Sequence, residues 1–269
     1  MSSELPPLRD VIDRFDLKSR KKFGQHFLLD LNLTARIARA AGNLSACTVV
    51  EVGPGPGGLT RALLDSGAKQ VIAIERDPRC VEAIEELATH YDGRLKVIDA
   101  NALELNLTDI CRGPKKIVAN LPYNVATPLL IGWLKNINQF ESLTLMFQKE
   151  VADRLTASPG NKTYGRLSVL AQWLCHTNHE FNIAATAFTP PPKVESTVVT
   201  LTPRAEPLAA ADWQKFEKVT AAAFGQRRKM LRASLKSLNV DLGSLGIDPT
   251  ARAETLSVDQ FCAIARSIK

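Results

Sequence analysis

Apolar and polar positions along this chain fall into blocks that change period. After a polar start, Leu8, Val11, Ile12 and Phe15 have helical spacing, and a second helix is predicted from Asp30 as N-cap through Leu33, Ile37 and Ala41 to Gly42. Between them, Lys22-Phe23-Gly24-Gln25-His26-Phe27-Leu28 reads as a loop. Short apolar runs follow at Thr48–Val52, Gln70–Ile74, Leu95–Ile98, Lys116–Ala119 and Leu143–Phe147, separated mostly by segments of helical period. Strands rich in Val and Ile that alternate with helices predict a parallel sheet covered on both faces. Beyond the helix-like Arg166–Cys175, the segments Glu180–Phe188 and Ser196–Leu201 are further strand candidates, and the short connection Thr189–Lys193 permits a terminal hairpin. Pro203 to Pro207 reads as a linker, and the remainder as helices at Trp213–Phe224, Arg227–Leu238 and Val258–Ile268. The expected fold is α/β: a Rossmann-like sheet, mainly parallel with a terminal antiparallel hairpin strand, plus a small all-α C-terminal domain. The expected boundary lies near Arg204, dividing the chain into 1–204 and 205–269.

Composition adds a bound on partners. With 269 residues, 45% of them hydrophobic, the chain can build one large core and a smaller appended domain. The formal charge of +6 favours a polyanionic partner only if the excess is clustered. It is partly clustered, in Lys18-Ser19-Arg20-Lys21-Lys22 and in Gly225–Lys236, where Arg227, Arg228, Lys229, Arg232 and Lys236 occur with no acid among them. Five cysteines without a Cys-x-x-Cys spacing fit reduced thiols in a cytosol, and four dispersed histidines give no metal site. No apolar run of signal-peptide or membrane-spanning length is present, so a cytoplasmic, soluble monomer without metal is expected.

The first strand ends in Glu51-Val52-Gly53-Pro54-Gly55-Pro56-Gly57-Gly58 and runs into the helical Leu59–Leu64. Glycines allow the tight strand-to-helix turn and bring bare backbone close to a ligand, which in open α/β sheets sits at the carboxyl ends of the strands. The second strand ends in Glu75, placed to accept hydrogen bonds from a ribose. That acid suits NAD as well as S-adenosylmethionine; the Gly-x-Gly-x-Gly spacing and the interrupting prolines favour the latter. At the third strand end, Asn101 is the candidate partner of a cofactor adenine.

The fourth strand ends in Asn120-Leu121-Pro122-Tyr123. The exocyclic amine of adenine is a poor nucleophile because its lone pair is delocalised into the ring. Two aligned acceptors can draw that lone pair out by holding both N–H groups, and the Asn120 side-chain oxygen with the Leu121 carbonyl can form such a pair if Pro122 fixes the turn. Tyr123 offers a face for stacking the base, and Phe188, just before Pro190-Pro191-Pro192, is expected to supply a second face.

At this point the chain resembles the ribosomal RNA adenine dimethyltransferases, in the wording of their bacterial small-subunit branch, the one linked to kasugamycin sensitivity. The resemblance spans Lys21 to Ser267 and rests on Lys22–Leu28, Glu51–Thr60, Asn120–Tyr123, Phe188-Thr189-Pro190-Pro191-Pro192-Lys193-Val194 and Phe224-Gly225-Gln226-Arg227-Arg228-Lys229. It implies a class I methyltransferase sheet, S-adenosylmethionine as cofactor, and two successive N6 methylations on each of two adjacent adenosines in the 3′-terminal hairpin loop of 16S rRNA. It further implies a late role in small-subunit biogenesis, on rRNA within an immature subunit. By matching position, Gln25, His26, Leu28, Gly53, Gly55, Glu75, Asn101 and Asn120 would hold the cofactor. Most relatives look to carry Asp where Asn101 stands, although an amide oxygen also accepts hydrogen bonds. Lys21, Lys22, Lys193, Arg227, Arg228, Lys229 and Arg232 are the candidate RNA contacts, positioning phosphates without reading sequence. Competing readings are a 23S rRNA adenine methyltransferase of the antibiotic-resistance type, a DNA adenine methylase, and a non-catalytic assembly factor on the same fold.

Overall fold

The computed structural model describes residues 5–17 and 25–268. Its strands are β1 (Phe27–Leu28), β2 (Thr48–Val52), β3 (Gln70–Glu75), β4 (Leu95–Asp99), β5 (Lys115–Asn120), β6 (Ser142–Gln148), β7 (Cys175–Ile183), β8 (Phe188–Thr189) and β9 (Ser196–Pro203). The first helices are α1 (Leu8–Arg14), α2 (Leu31–Ala40), α3 (Gly58–Asp65), α4 (Pro78–Ala88), α5 (Leu107–Ile110) and α6 (Tyr123–Leu134). They are followed by α7 (Lys149–Thr156), α8 (Arg166–Leu174), α9 (Trp213–Gly225), α10 (Leu231–Ser234) and α11 (Val258–Ser267).

Seven strands form one sheet in the order β4-β3-β2-β5-β6-β9-β7. The pairs from β4 to β6 are parallel, and β9 runs antiparallel to β6 from Leu143↔Leu201 to Gln148↔Ser196. Because helices cover both faces, β2 is buried at every position, Thr48 and Glu51 included, and is otherwise all valine. Strand order reverses at β2, with β3 on one side and β5 on the other, and this opens a crevice at their carboxyl ends. Asp30 caps α2 by accepting from the Asn32 N–H, and Asp77 caps α4, whose first residue is Pro78.

Two segments differ from the sequence expectation. The strand expected at Glu180–Phe188 begins at Cys175 and ends at Ile183. Phe188 and Thr189 leave the large sheet and pair instead with Leu28 and Phe27, in what reads from sequence as a loop. The helix expected at Arg227–Leu238 is broken: α9 stops at Gly225, Met230 is extended (φ −67°, ψ 153°) and bridges Arg252, and only Leu231–Ser234 is α-helical before a 3-10 turn at Lys236–Leu238. Lys229, Arg232 and Lys236 therefore do not share one helix face.

By compactness the chain forms two units, Met1–Lys149 with His179–Leu201, and Glu150–Asn178 with Thr202–Lys269. The second unit takes in α7 and α8 as well as the tail helices. Its core sets Trp173 against Phe216 (ring centroids 4.1 Å apart, tilted by 35°) and Phe224 against Phe261 (5.5 Å, tilted by 32°), with Leu231 and Leu235 at the two ends of α10 buried. No described helix is long and apolar enough to cross a membrane.

Candidate active site

The glycine turn after β2 is built on left-handed backbone, and two of its glycines are also sterically required. A Cβ on Gly55 (φ +55°) would lie 2.9 Å from the Phe27 ring, and one on Gly58 would lie 3.0 Å from the Leu28 carbonyl oxygen. The short β1 thus lies directly over the turn, where β8 pins it through the Phe27↔Thr189 and Leu28↔Phe188 pairs. A pocket opens between them, lined by Gln25, His26 and Leu28 above, Gly53 and Gly55 below, and Glu75 and Asn120–Tyr123 at the strand ends.

Two buried carboxyls face this pocket. Glu75 is 7% exposed; its Oε1 accepts from the Arg76 and Asp77 N–H groups at 2.8 and 2.9 Å, and its Oε2 faces the Gly55 N–H at 3.4 Å. Burial raises its pKa against these donors. Glu51, 1% exposed, accepts from the Thr60 hydroxyl at 2.6 Å, and burial pushes it up to about 8, opposed by that hydrogen bond. Glu51 is absent from the sequence candidates, because its burial and its Thr60 partner are not marked by residue spacing. Asp77, fully buried, binds Gln25 Nε2 at 3.1 Å and holds the Arg79 guanidinium at 2.7 Å, which keeps its carboxyl below the usual range despite burial.

Asn120, the last residue of β5, donates from Nδ2 to the His26 carbonyl at 3.2 Å. That bond fixes the amide: the nitrogen is spent on β1's flank and Oδ1 is left to accept. Pro122 (φ −57°) caps α6, and the Leu121 carbonyl takes no hydrogen bond from the described backbone. The His26 and Tyr123 rings lie 5.6 Å apart at 31°. His26 Nδ1 is 2.8 Å from the Pro190 carbonyl, an acceptor, so Nδ1 carries the proton. Tyr123 Oη meets Ser196 Oγ at 2.6 Å.

Three sequence candidates take other positions. Phe188, expected as a second stacking face, is 3% exposed, packs in the apolar core with Leu28 and Val198, and does not line the pocket. Its backbone pairs with Leu28 of β1. Asn101 does not line it either: its Nδ2 donates to Glu104 at 2.6 Å and its Oδ1 accepts from the Leu103 N–H at 3.2 Å, within a local turn. Arg227 is spent inside the second unit on the Lys162 and Tyr164 carbonyls (2.7 and 3.2 Å) and on Glu254 (3.6 Å). Lys193, Arg228, Lys229 and Arg232 are exposed, and Lys21 and Lys22 lie outside the described residues.

A parallel sheet of this order, extended by an antiparallel strand and opening its glycine turn toward a strand-end Asn-Leu-Pro-Tyr, places the chain among the Rossmann-like class I methyltransferases. Residues 16–269 match the sequence model of the ribosomal RNA adenine dimethylase family, and the chain belongs to that family. It is 59% identical to the ribosomal RNA small subunit methyltransferase A of Paramagnetospirillum magneticum, over 99% of this chain and 96% of that protein. It is 58% identical to the protein of the same name from Rhodospirillum rubrum, over 98% and 93%. Among solved structures, a dimethyladenosine transferase from Plasmodium falciparum superimposes with a TM-score of 0.76 at 26% identity, covering 88% of this chain and 94% of the other. The 23S rRNA methyltransferase ErmE superimposes with 0.70 at 27%, covering 90% and 99%.

Proposed function

We propose that this protein transfers methyl groups from S-adenosylmethionine to N6 of two adjacent adenosines in the 3′-terminal hairpin loop of 16S rRNA, within an immature small subunit, giving N6,N6-dimethyladenosines. The observation that carries the reading is the fixed amide of Asn120. Its nitrogen is tied to His26 and its oxygen is free beside the glycine turn, which is the acceptor an adenine amine needs.

The residues fit the cofactor. Glu75 keeps Oε2 beside the Gly55 N–H, a pairing suited to ribose hydroxyls, while Glu51 offers a buried carboxyl to a cationic amino-acid end. When bound, S-adenosylmethionine supplies an electrophilic methyl carbon on a sulfonium, whose bond to sulfur breaks as the bond to N6 forms. Asn120 Oδ1 and the Leu121 carbonyl accept the two N6–H groups and direct the lone pair, and Tyr123 supports the ring of the base. No strong base is required, since N6 becomes acidic once methylated and its proton passes to water. Among the candidate RNA contacts, Lys193, Arg228, Lys229 and Arg232 are exposed and available for phosphates, and residues 205–269 are the helical segment we assign to RNA and ribosome binding.

The test is methylation of small subunits purified from cells lacking this modification, with mass-spectrometric mapping of the product. Dimethyladenosine at neighbouring positions is expected, reduced by about 10²–10³-fold in Asn120→Ala, the scale of losing one preorganised polar contact to the transition state. Methyl groups on guanosine, cytosine or protein would refute it.

A further inference from the structure

The stretch from Pro190 to Ser196 carries the side chain and carbonyl that hold both rings of the pocket. His26 is anchored by the Pro190 carbonyl at 2.8 Å, and Tyr123 by the Ser196 hydroxyl at 2.6 Å. Ser196 opens β9, is fully buried, and sits opposite Gln148 in register with β6, so its hydroxyl is held by the sheet. Tyr123 opens α6, and its two side-chain torsions leave the ring free to swing unless its far end is tethered. Ser196 is that tether, 73 residues away in sequence.

We propose that Ser196 is a positioning residue that fixes the Tyr123 ring, and that this tether controls the second methyl transfer to each adenosine more strongly than the first. The inference rests on the dimethylation reading above. In the first transfer the amine presents two N–H groups to two acceptors, Asn120 Oδ1 and the Leu121 carbonyl. Each transfer replaces one N6–H with N6–CH3, the displaced proton going to water, so the second begins with a single N–H. One acceptor then has no partner, and the orientation of the base depends more on the ring against which it stacks. A ring that swings therefore costs little in the first step and more in the second.

The experiment compares wild type, Ser196→Ala, Tyr123→Phe and the double variant on unmodified small subunits. Monomethyl- and dimethyladenosine are followed over time by mass spectrometry, and cofactor affinity and melting temperature are measured in parallel. Each single variant should slow the second transfer by about five- to tenfold relative to the first, the effect of one neutral hydrogen bond, so that monomethyladenosine accumulates. The double variant should be no worse than either single one, because both remove the same bond. Cofactor affinity should be unchanged in Ser196→Ala, whose side chain does not line the pocket. Tyr123→Phe keeps the packed ring and carries the test if Ser196→Ala folds poorly. An unchanged ratio of the two products, or equal slowing of both steps, overturns the proposal. A wild-type protein that leaves the adenosines unmethylated overturns the functional reading, and this inference with it.

Discussion

Glu51 shows how a single residue can tie the site to solution conditions. Its carboxyl is raised to about 8 in the folded protein against about 4.5 for an unburied glutamate, so between these values the folded state holds a proton that the unfolded state has released. The contribution of this group to stability is fully present below about pH 4.5 and is lost as pH rises through about 8. Glu51→Gln fixes the uncharged form. Its melting temperature relative to wild type should therefore climb from pH 5.5 to pH 8.5; a constant difference would show that Glu51 is ionised throughout. Residues like this one mark the limit of what local sequence displays. Gly53 to Gly58 and Asn120 to Tyr123 stand out because their spacing dictates a turn at a strand end. Glu51 and Ser196 do not, because what matters in each is burial and a partner, Thr60 or Tyr123, that spacing alone does not reveal. Phe188 misleads for the same reason: a phenylalanine before a proline run looks available for stacking until the core closes over it.

At the scale of elements, the central strands β2 and β3 are legible nearly to the residue, since burial on both faces leaves runs dominated by Val and Ile. The basic helix is not. Leucines at Leu231, Leu235 and Leu238 keep helical spacing, yet the extended Met230 pairs with Arg252 and divides the segment. This separates the roles of adjacent arginines. Arg227 fastens the 162–164 loop and Glu254, so Arg227→Ala should destabilise the second unit by about 1 kcal/mol, readable as a lower denaturation midpoint. Arg228→Ala with Lys229→Ala should leave that midpoint in place. It should instead weaken binding to small subunits and reduce the salt dependence of that binding, by about 0.7–0.9 in the log–log slope for each phosphate no longer neutralised. If all three substitutions act alike on either measurement, the division is wrong.

Across the first unit, the pocket is a meeting of segments distant in sequence, and the amino-terminal segment braces it from behind. Leu8 of α1 sits where a Cβ on Gly58 would fall, 2.9 Å away, and Arg61 of α3 donates to the Pro6 carbonyl at 2.6 Å. Val11 and Leu17 are buried with Phe27, Cys80 and Ala83, so the residue that roofs Gly55 shares a cluster with α1 and α4. Arg79 reaches from Asp77 to the Asp16 carbonyl, and Asp77 also binds Gln25 at the pocket wall. Removing residues 1–17 would expose Phe27, Cys80 and Ala83 to water from behind and deprive Arg61 and Arg79 of one carbonyl acceptor each. Burial of Phe27 alone is worth about 1.5–3 kcal/mol as an upper bound, with less from Cys80 and Ala83, enough to loosen β1 over the glycine turn without unfolding the sheet. The truncated chain should thus melt at a lower temperature and bind S-adenosylmethionine more weakly by calorimetry, while Arg228→Ala and Lys229→Ala, introduced into it, should weaken particle binding as they do in the full chain. Cofactor affinity equal to that of the full chain would mean that pairing of β1 with β8 is enough to hold Phe27 and Leu28 over the turn, and that the amino-terminal helix contributes to stability alone.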